Sequence, residues 1–171
     1  METAALIGAE IAKTGAGLTY GGGKLGLMGV VADAVLEAGG NILGVIPKFL
    51  TKNLLLDEER STQIIVKDLS QRKAALIEHS DAFVVLPGGI GTLDEVIEVI
   101  AWRQLNQLNK PIGLLNVNSY FNPLLELFKH MITEGFLDKN TVDKLVIETG
   151  PKTLVESLIW LITENENHNS F

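Results

Sequence analysis

Apolar and polar positions along this chain alternate between two periods. Ala5, Leu6, Ala9 and Ala12 recur at helical spacing and the run stops at Gly15, which predicts an opening helix with a glycine cap. "GLTY" predicts a short strand that runs into "GGGKLGLMG", and residues 26–38 predict a helix ending at Gly39 and Gly40. "NILGVIP" and "TQIIV" predict strands on either side of residues 48–61, whose irregular, charged pattern predicts a loop with room for a helical turn. "LSQRKAALIEHS" predicts a helix. "DAFVVLPGG" predicts a strand whose nearly continuous apolar run fits burial on both faces. Residues 92–107 predict a long helix, "KPIGLLNV" a strand, residues 123–134 a helix and "KLVIET" a strand. "PKTLVESLIWLIT" predicts a last helix with Pro151 in its first turn, and the polar tail, residues 164–171, predicts a frayed end.

Strand and helix thus alternate from end to end. That order predicts an α/β fold, a Rossmann-like three-layer sandwich built on a mainly parallel sheet. With 171 residues and no linker, repeat or composition break, a single nucleotide-binding domain over 1–171 is expected.

Composition narrows the chemistry. The net charge is −7 and the acidic residues are scattered, so nothing resembles the basic stripe of a nucleic-acid binder. One phosphate still needs only local N–H groups and positive charge. The sequence has no cysteine, which excludes disulfides, thiolate metal sites and a cysteine nucleophile. Its three histidines, His79, His130 and His168, are far apart and form no metal-ligand pair. No apolar run approaches the ~20 residues of a membrane span, and the first residues have neither signal-peptide nor transit-peptide character. A cytoplasmic protein is the expectation.

Two strands end in glycines and open into helices, and in parallel sheets ligands bind at such carboxyl ends. The second loop, "LPGGIGTLDE", sets Gly88, Gly89 and Gly91 before a helix. Its glycines would adopt backbone shapes closed to other residues and let a ligand approach the main chain. Thr92 is the expected N-cap, and the free amides and helix dipole beside it would hold an anion. The spacing is neither GxGxxG nor a Walker loop. Read as a lone triplet, it is also what any tight strand-to-helix turn requires.

Asp94 and Glu95 add carboxylates at the rim of that cradle. Adjacent helix positions point about 100° apart, so one can face the ligand while the other faces away. Beside a sugar phosphate, a carboxylate can bind ribose hydroxyls, or stabilise an oxocarbenium-like centre as a glycosidic bond breaks.

The first loop carries five glycines in nine residues, Gly21 to Gly29, and includes Gly22 and Gly23. A turn with close helix packing is the plain explanation. Met28 fits the core or a base pocket, and Lys24 reads as a solvated charge. Arg72 and Lys73 lie near the start of the helix before the "PGG" strand. A basic pair there is usually solvent-facing, yet an arginine is also the usual bidentate partner of a phosphate or carboxylate.

Taken together, "YGGGKLGLMG", "GVIPKFL", "QRKAALIEHSDAFVVLPGGIGTLDEV" and "WRQLNQLNKPIGLLNV" resemble, in order and spacing, the LOG ("lonely guy") family, cytokinin riboside 5′-monophosphate phosphoribohydrolases long mislabelled as lysine decarboxylases. The resemblance covers essentially the whole chain. It implies hydrolysis of the N-glycosidic bond of an N6-substituted adenosine 5′-monophosphate, releasing free base and ribose 5-phosphate, with no cofactor and usually as a homodimer. Matched residue by residue, Pro87, Gly88, Gly89, Gly91, Thr92 and Glu95 fill a PGGxGTxxE motif. Glu95 is then the catalytic carboxylate, Asp94 its less critical neighbour, and Arg72, with Lys73 beside it, the essential arginine. The helix that carries Glu95 and Trp102 is the implied dimer contact.

Three features depart from the family pattern. Its opening strand, with a Cys-Gly-Ser or Ser-Gly loop, is absent from this sequence. Leu69 and Ser70 stand where Met-His is usual, and the stretch at 50–61 lacks the expected acidic pattern. Beside the hydrolase stand two other readings. One is a phosphoribohydrolase of plain AMP or another monophosphate. The other is a non-hydrolytic carrier of a nucleotide or of the molybdenum cofactor.

Overall fold

The computed structural model describes residues 1–51 and 62–169. Its chain divides into two compact units, Met1–Ser80 and Asp81–Phe171.

In the first unit α1 (Glu2–Lys13) leads to β1 (Leu18–Tyr20), α2 (Gly26–Glu37), β2 (Ile42–Pro47), a 3-10 turn (Lys48–Leu50), β3 (Thr62–Val66) and α3 (Leu69–Glu78). The strands form a parallel sheet of order β1-β2-β3, with Leu18 opposite Ile42 and Leu43 opposite Thr62. The central strand β2 is the most apolar, and Val45 and Ile46 are fully buried with Ile7 of α1 and Val35 of α2. Small residues let the two helices meet. A side chain at Gly8 would strike the Val31 carbonyl and lie 2.9 Å from the Ala34 β-carbon. The start of α3 is set by local chemistry. Asp68 accepts from the Gln71 N–H at 2.9 Å, and the Gln71 side chain accepts from the Lys67 N–H at 2.9 Å. Such reciprocal caps are worth about 1 kcal/mol, and this one places Arg72 in the second turn.

In the second unit β4 (Phe83–Val85) leads to α4 (Ile90–Gln104), β5 (Ile112–Leu115), a 3-10 turn (Val117–Ser119), α5 (Asn122–Thr133), α6 (Lys139–Asp143), β6 (Val146–Glu148) and α7 (Pro151–Asn169). The parallel order is β4-β5-β6. All of β5 is buried, and α7 covers it where glycine leaves room. A β-carbon at Gly113 would come within 2.6 Å of the Leu154 Cδ1 and 3.0 Å of the Leu158 Cδ1. Burying a leucine so completely stabilises by roughly 1.5–3 kcal/mol.

Parallel strands alternating with helices give the Rossmann-like α/β fold that the periodicity predicts. The ladders run as two three-stranded sheets, one in each unit, where a single sheet is expected. Two helices also run over other bounds than expected. Helix α4 begins at Ile90 and ends at Gln104, so it starts before Thr92 and stops short of residue 107. Helix α7 continues to Asn169, past the start of the polar tail. The short α6 and the turn at Val117–Ser119 carry too few residues to show a period. Of the loop expected at 48–61, the 3-10 turn is present and residues 52–61 lie outside the described residues. No helix among the described residues is long and apolar enough to cross a membrane.

Candidate active site

The PGG loop closes β4 and opens α4. Its N-cap is Gly89, whose carbonyl accepts the first helical bond from the Leu93 N–H at 3.1 Å. The N–H groups of Ile90, Gly91 and Thr92 therefore precede the helical ladder, where the dipole is positive. Thr92 is not the cap that the sequence suggests but sits at the third helical position. From there it meets Gly88, whose bare α-carbon lies against the Thr92 hydroxyl and β-carbon.

The three glycines serve different ends, and none has a positive φ. Their expected conformational licence is not what the loop uses. Gly88 is required by Thr92. At Gly89 and Gly91 a β-carbon would meet nothing within 4 Å. The absence of side chains there leaves open space beside three amides that have no helical acceptor among the described residues.

Asp94 and Glu95 lie in the second turn of α4. Glu95 is four residues after Gly91, so the two share a face one turn, or about 5.4 Å, apart. Helical side chains lean toward the N-terminus, and Gly91 lies on that side of the half-buried Glu95. Asp94 is exposed on another face, in a shallow groove with Ile90, Leu93, Ile97, Glu98 and Ala101. At the far end of α4, Arg103 donates to the Lys144 carbonyl at 3.1 Å, and burial pulls its guanidinium below the usual range.

A second segment reaches this loop. After β5, the Asn116 side chain accepts from the Phe121 N–H at 2.8 Å and donates to Asn122 Oδ1 at 2.9 Å. Within that bracket the Tyr120 hydroxyl donates to the Gly88 carbonyl at 2.6 Å.

In the first unit, the glycine loop after β1 gathers a different set. The Arg72 guanidinium lies against the bare α-carbon of Gly21, and the Met28 sulfur lies 3.0 Å from where its β-carbon would be. Gly22 has φ +78° and is packed on Ile46, so the turn itself demands it. Gly23 is buried, Met28 and Lys73 are half-buried, and Lys24 is exposed. A side chain at Gly29 would run into the Lys24 carbonyl, in the loop just before the same helix.

The structure thus brings Gly88, Thr92 and Tyr120 together in one unit, and Gly21, Met28 and Arg72 in the other. Gly21 and Tyr120 are absent from the sequence-derived set. Tyr120 had one usable signal, its place in "NVNSYFN" directly after a parallel strand, where such sheets receive ligands.

Comparison with known proteins bears on these residues directly. A family model described as "Possible lysine decarboxylase" matches residues 28–158, which include both Arg72 and the PGG loop. A cytokinin riboside 5′-monophosphate phosphoribohydrolase of Arabidopsis thaliana is 44% identical over 152 residues, 89% of this chain and 71% of the relative. The chain belongs to this LOG family.

Other LOG proteins match over a smaller share of their length. A second Arabidopsis thaliana phosphoribohydrolase of the same description is 46% identical over 82% of this chain and 62% of its own. A rice protein (Oryza sativa subsp. japonica) named as a probable member is 45% identical over 89% of this chain, which again spans 62% of the relative. Solved structures confirm the fold. The molybdenum cofactor carrier protein of Chlamydomonas reinhardtii superposes with a TM-score of 0.70 at 23% identity, covering 95% of this chain and 87% of that one. The molybdenum cofactor binding protein of Rippkaea orientalis gives 0.67 at 24% identity, covering 94% and 86%. At those identities the LOG chain shares their architecture, and its chemistry has to be argued from its own residues.

Proposed function

We propose that this LOG chain hydrolyses the N-glycosidic bond of an adenosine 5′-monophosphate, preferably N6-substituted, releasing the free base and ribose 5-phosphate. The observation that carries the reading is the face of α4. Gly89 and Gly91 leave open space beside three amides with no helical acceptor among the described residues, and Glu95 stands one turn further on. The amides suit a phosphate. The spacing to Glu95 is comparable to that between the phosphorus and the anomeric carbon of a ribose 5-phosphate.

In this mechanism the phosphate is gripped first and the ribose is thereby oriented. As the bond from the anomeric carbon to the base nitrogen lengthens, positive charge grows on the sugar and the Glu95 carboxylate stabilises it. A water oxygen then adds to the anomeric carbon, and the departing base nitrogen takes up a proton. Positioning and electrostatics do most of the work. The Arg72 guanidinium offers a planar pair of donors to a phosphate or carboxylate. Gly22, Gly23, Met28 and Lys73 line or support its loop.

The test is ribose 5-phosphate release from AMP, isopentenyladenosine monophosphate, GMP, CMP and UMP, with wild type and Glu95→Gln side by side. Adenine nucleotides cleaved by wild type, and at least ~100-fold more slowly by the variant, are the expected result. Equal rates in the two proteins remove Glu95 from the mechanism.

A homodimer is proposed as the working form. Its support is the apolar face of α4 and its C-cap, where Ile90 is 82% and Leu105 68% exposed, with Ile97 and Trp102 also solvent-facing. Light scattering is expected to give twice the monomer mass, and Ile97→Glu to halve it.

A further inference from the structure

We propose that Tyr120 is a positioning residue that holds the Gly88–Gly89 peptide in one orientation and so aims the Gly89 N–H at the anion bound in front of α4. The inference rests on the phosphate reading given above.

A trans peptide is planar, and its carbonyl oxygen and N–H point in opposite directions. The Gly88 carbonyl accepts from the Tyr120 hydroxyl at 2.6 Å. The other end of the same peptide is the Gly89 N–H, which has no acceptor among the described residues. Fixing the oxygen therefore fixes the free donor.

That peptide is also the one in the loop that most needs fixing. Glycine on both sides offers no β-carbon to resist rotation about the Gly88 ψ and the Gly89 φ. A half-turn would put the carbonyl where the N–H had been, and a carbonyl oxygen repels the anion that the N–H would bind. Packing on Thr92 holds the Gly88 α-carbon, but it does not by itself fix the plane of the following peptide.

Tyr120 is built to do this. It is 50% exposed, so burial does not account for a tyrosine here. Its ring lies edge-on to Phe121, centroids 5.2 Å apart at 88°, and Phe121 is 2% exposed. Two residues just before it, Asn118 and Ser119, have φ of 52° and 58°. Left-handed backbone at non-glycine residues costs about 1 kcal/mol or more each and persists only where the surroundings impose it. Here Asn116 imposes it, by bonding across the turn to Phe121 and Asn122. The strained turn delivers one hydroxyl to one carbonyl.

The test compares the 15N-labelled chain with Tyr120→Phe, which keeps the ring and removes the hydroxyl. Three quantities are read: the thermal midpoint, the ligand-free amide signal of Gly89, and the affinity for inorganic phosphate from the shifts of residues 89–92. The midpoint is expected to stay within about 2 °C. The Gly89 signal should move or broaden, and phosphate should bind about five- to tenfold more weakly. A wild-type Gly89 signal in the variant, an unchanged phosphate affinity, or a wild type that binds no phosphate overturns the proposal. Leu154→Ala loosens the packing of α7 (Pro151–Asn169) on Gly113 and leaves both Phe121 and the Tyr120 hydroxyl unchanged. It should lower the midpoint while leaving phosphate affinity within about twofold. An equal loss of affinity there would make Tyr120 merely structural and overturn the proposal too. AMP turnover by the wild type is scored separately. If no ribose 5-phosphate appears, the hydrolase reading fails, and the phosphate titration still decides the role of Tyr120.

Discussion

The guanidinium of Arg72 rests on the bare α-carbon of Gly21, in the space that a β-carbon would take. One residue thus makes room for the other across the first unit. Gly21→Ala has to displace the guanidinium, which is the far end of a flexible side chain. The fold is expected to survive within about 1 kcal/mol, while AMP turnover falls about tenfold or more. In a double-mutant cycle, adding Gly21→Ala to Arg72→Ala should cost little beyond Arg72→Ala alone. Fully additive losses would show that Gly21 acts on something other than Arg72.

The glycines of the second loop should separate by what they fail. Gly88→Ala collides with Thr92 and is expected to destabilise the chain by about 1–3 kcal/mol in urea denaturation. Gly89→Ala points its methyl into open space, so stability should fall only by about 0.5–1 kcal/mol, the cost of alanine at an N-cap. Phosphate affinity should fall instead, because the methyl occupies the ligand's space. Equal stability losses would contradict the division.

Asp94 and Glu95 are neighbours in sequence but lie on different faces of α4. Glu95→Gln is expected to lower kcat about 100-fold or more while AMP still binds, since the amide keeps the shape and loses the charge. Asp94→Asn should change kcat by less than about threefold, because its carboxylate lies in the groove with Ile97 and Ala101. Initial rates and calorimetric titration of the two variants make the comparison.

The second unit depends on one seat. Leu154 is fully buried, and it fills the hollow over Gly113. Leu154→Ala is expected to cost about 2–5 kcal/mol of unfolding free energy. Trp160, 62% exposed on the same helix, should tolerate alanine at little cost. Similar midpoint shifts for the two variants would argue against this packing of α7.

Local patterns decide local structure, and those parts were legible in the sequence. The continuous apolar runs at "ILGVIP" and "IGLL" mark β2 and β5, which are buried because a parallel strand is covered on both faces. "TQIIV" is β3 residue for residue, and Gly15, at φ +80°, ends the first helix as its position suggests. The glycine loops, Arg72 and Glu95 also stood out as candidates, because phosphate and carboxylate chemistry draws on few residue types. Tertiary structure alone decided how those residues are used. Thr92 reads as a cap, yet the helix begins two residues earlier and turns its hydroxyl onto Gly88. The glycines of that loop read as conformational, yet they serve packing and access. No period or spacing marks the meetings of Arg72 with Gly21 or of Tyr120 with Gly88. Each joins residues far apart in the chain, and only the crossovers of a parallel sheet bring the carboxyl ends of distant strands to the same place.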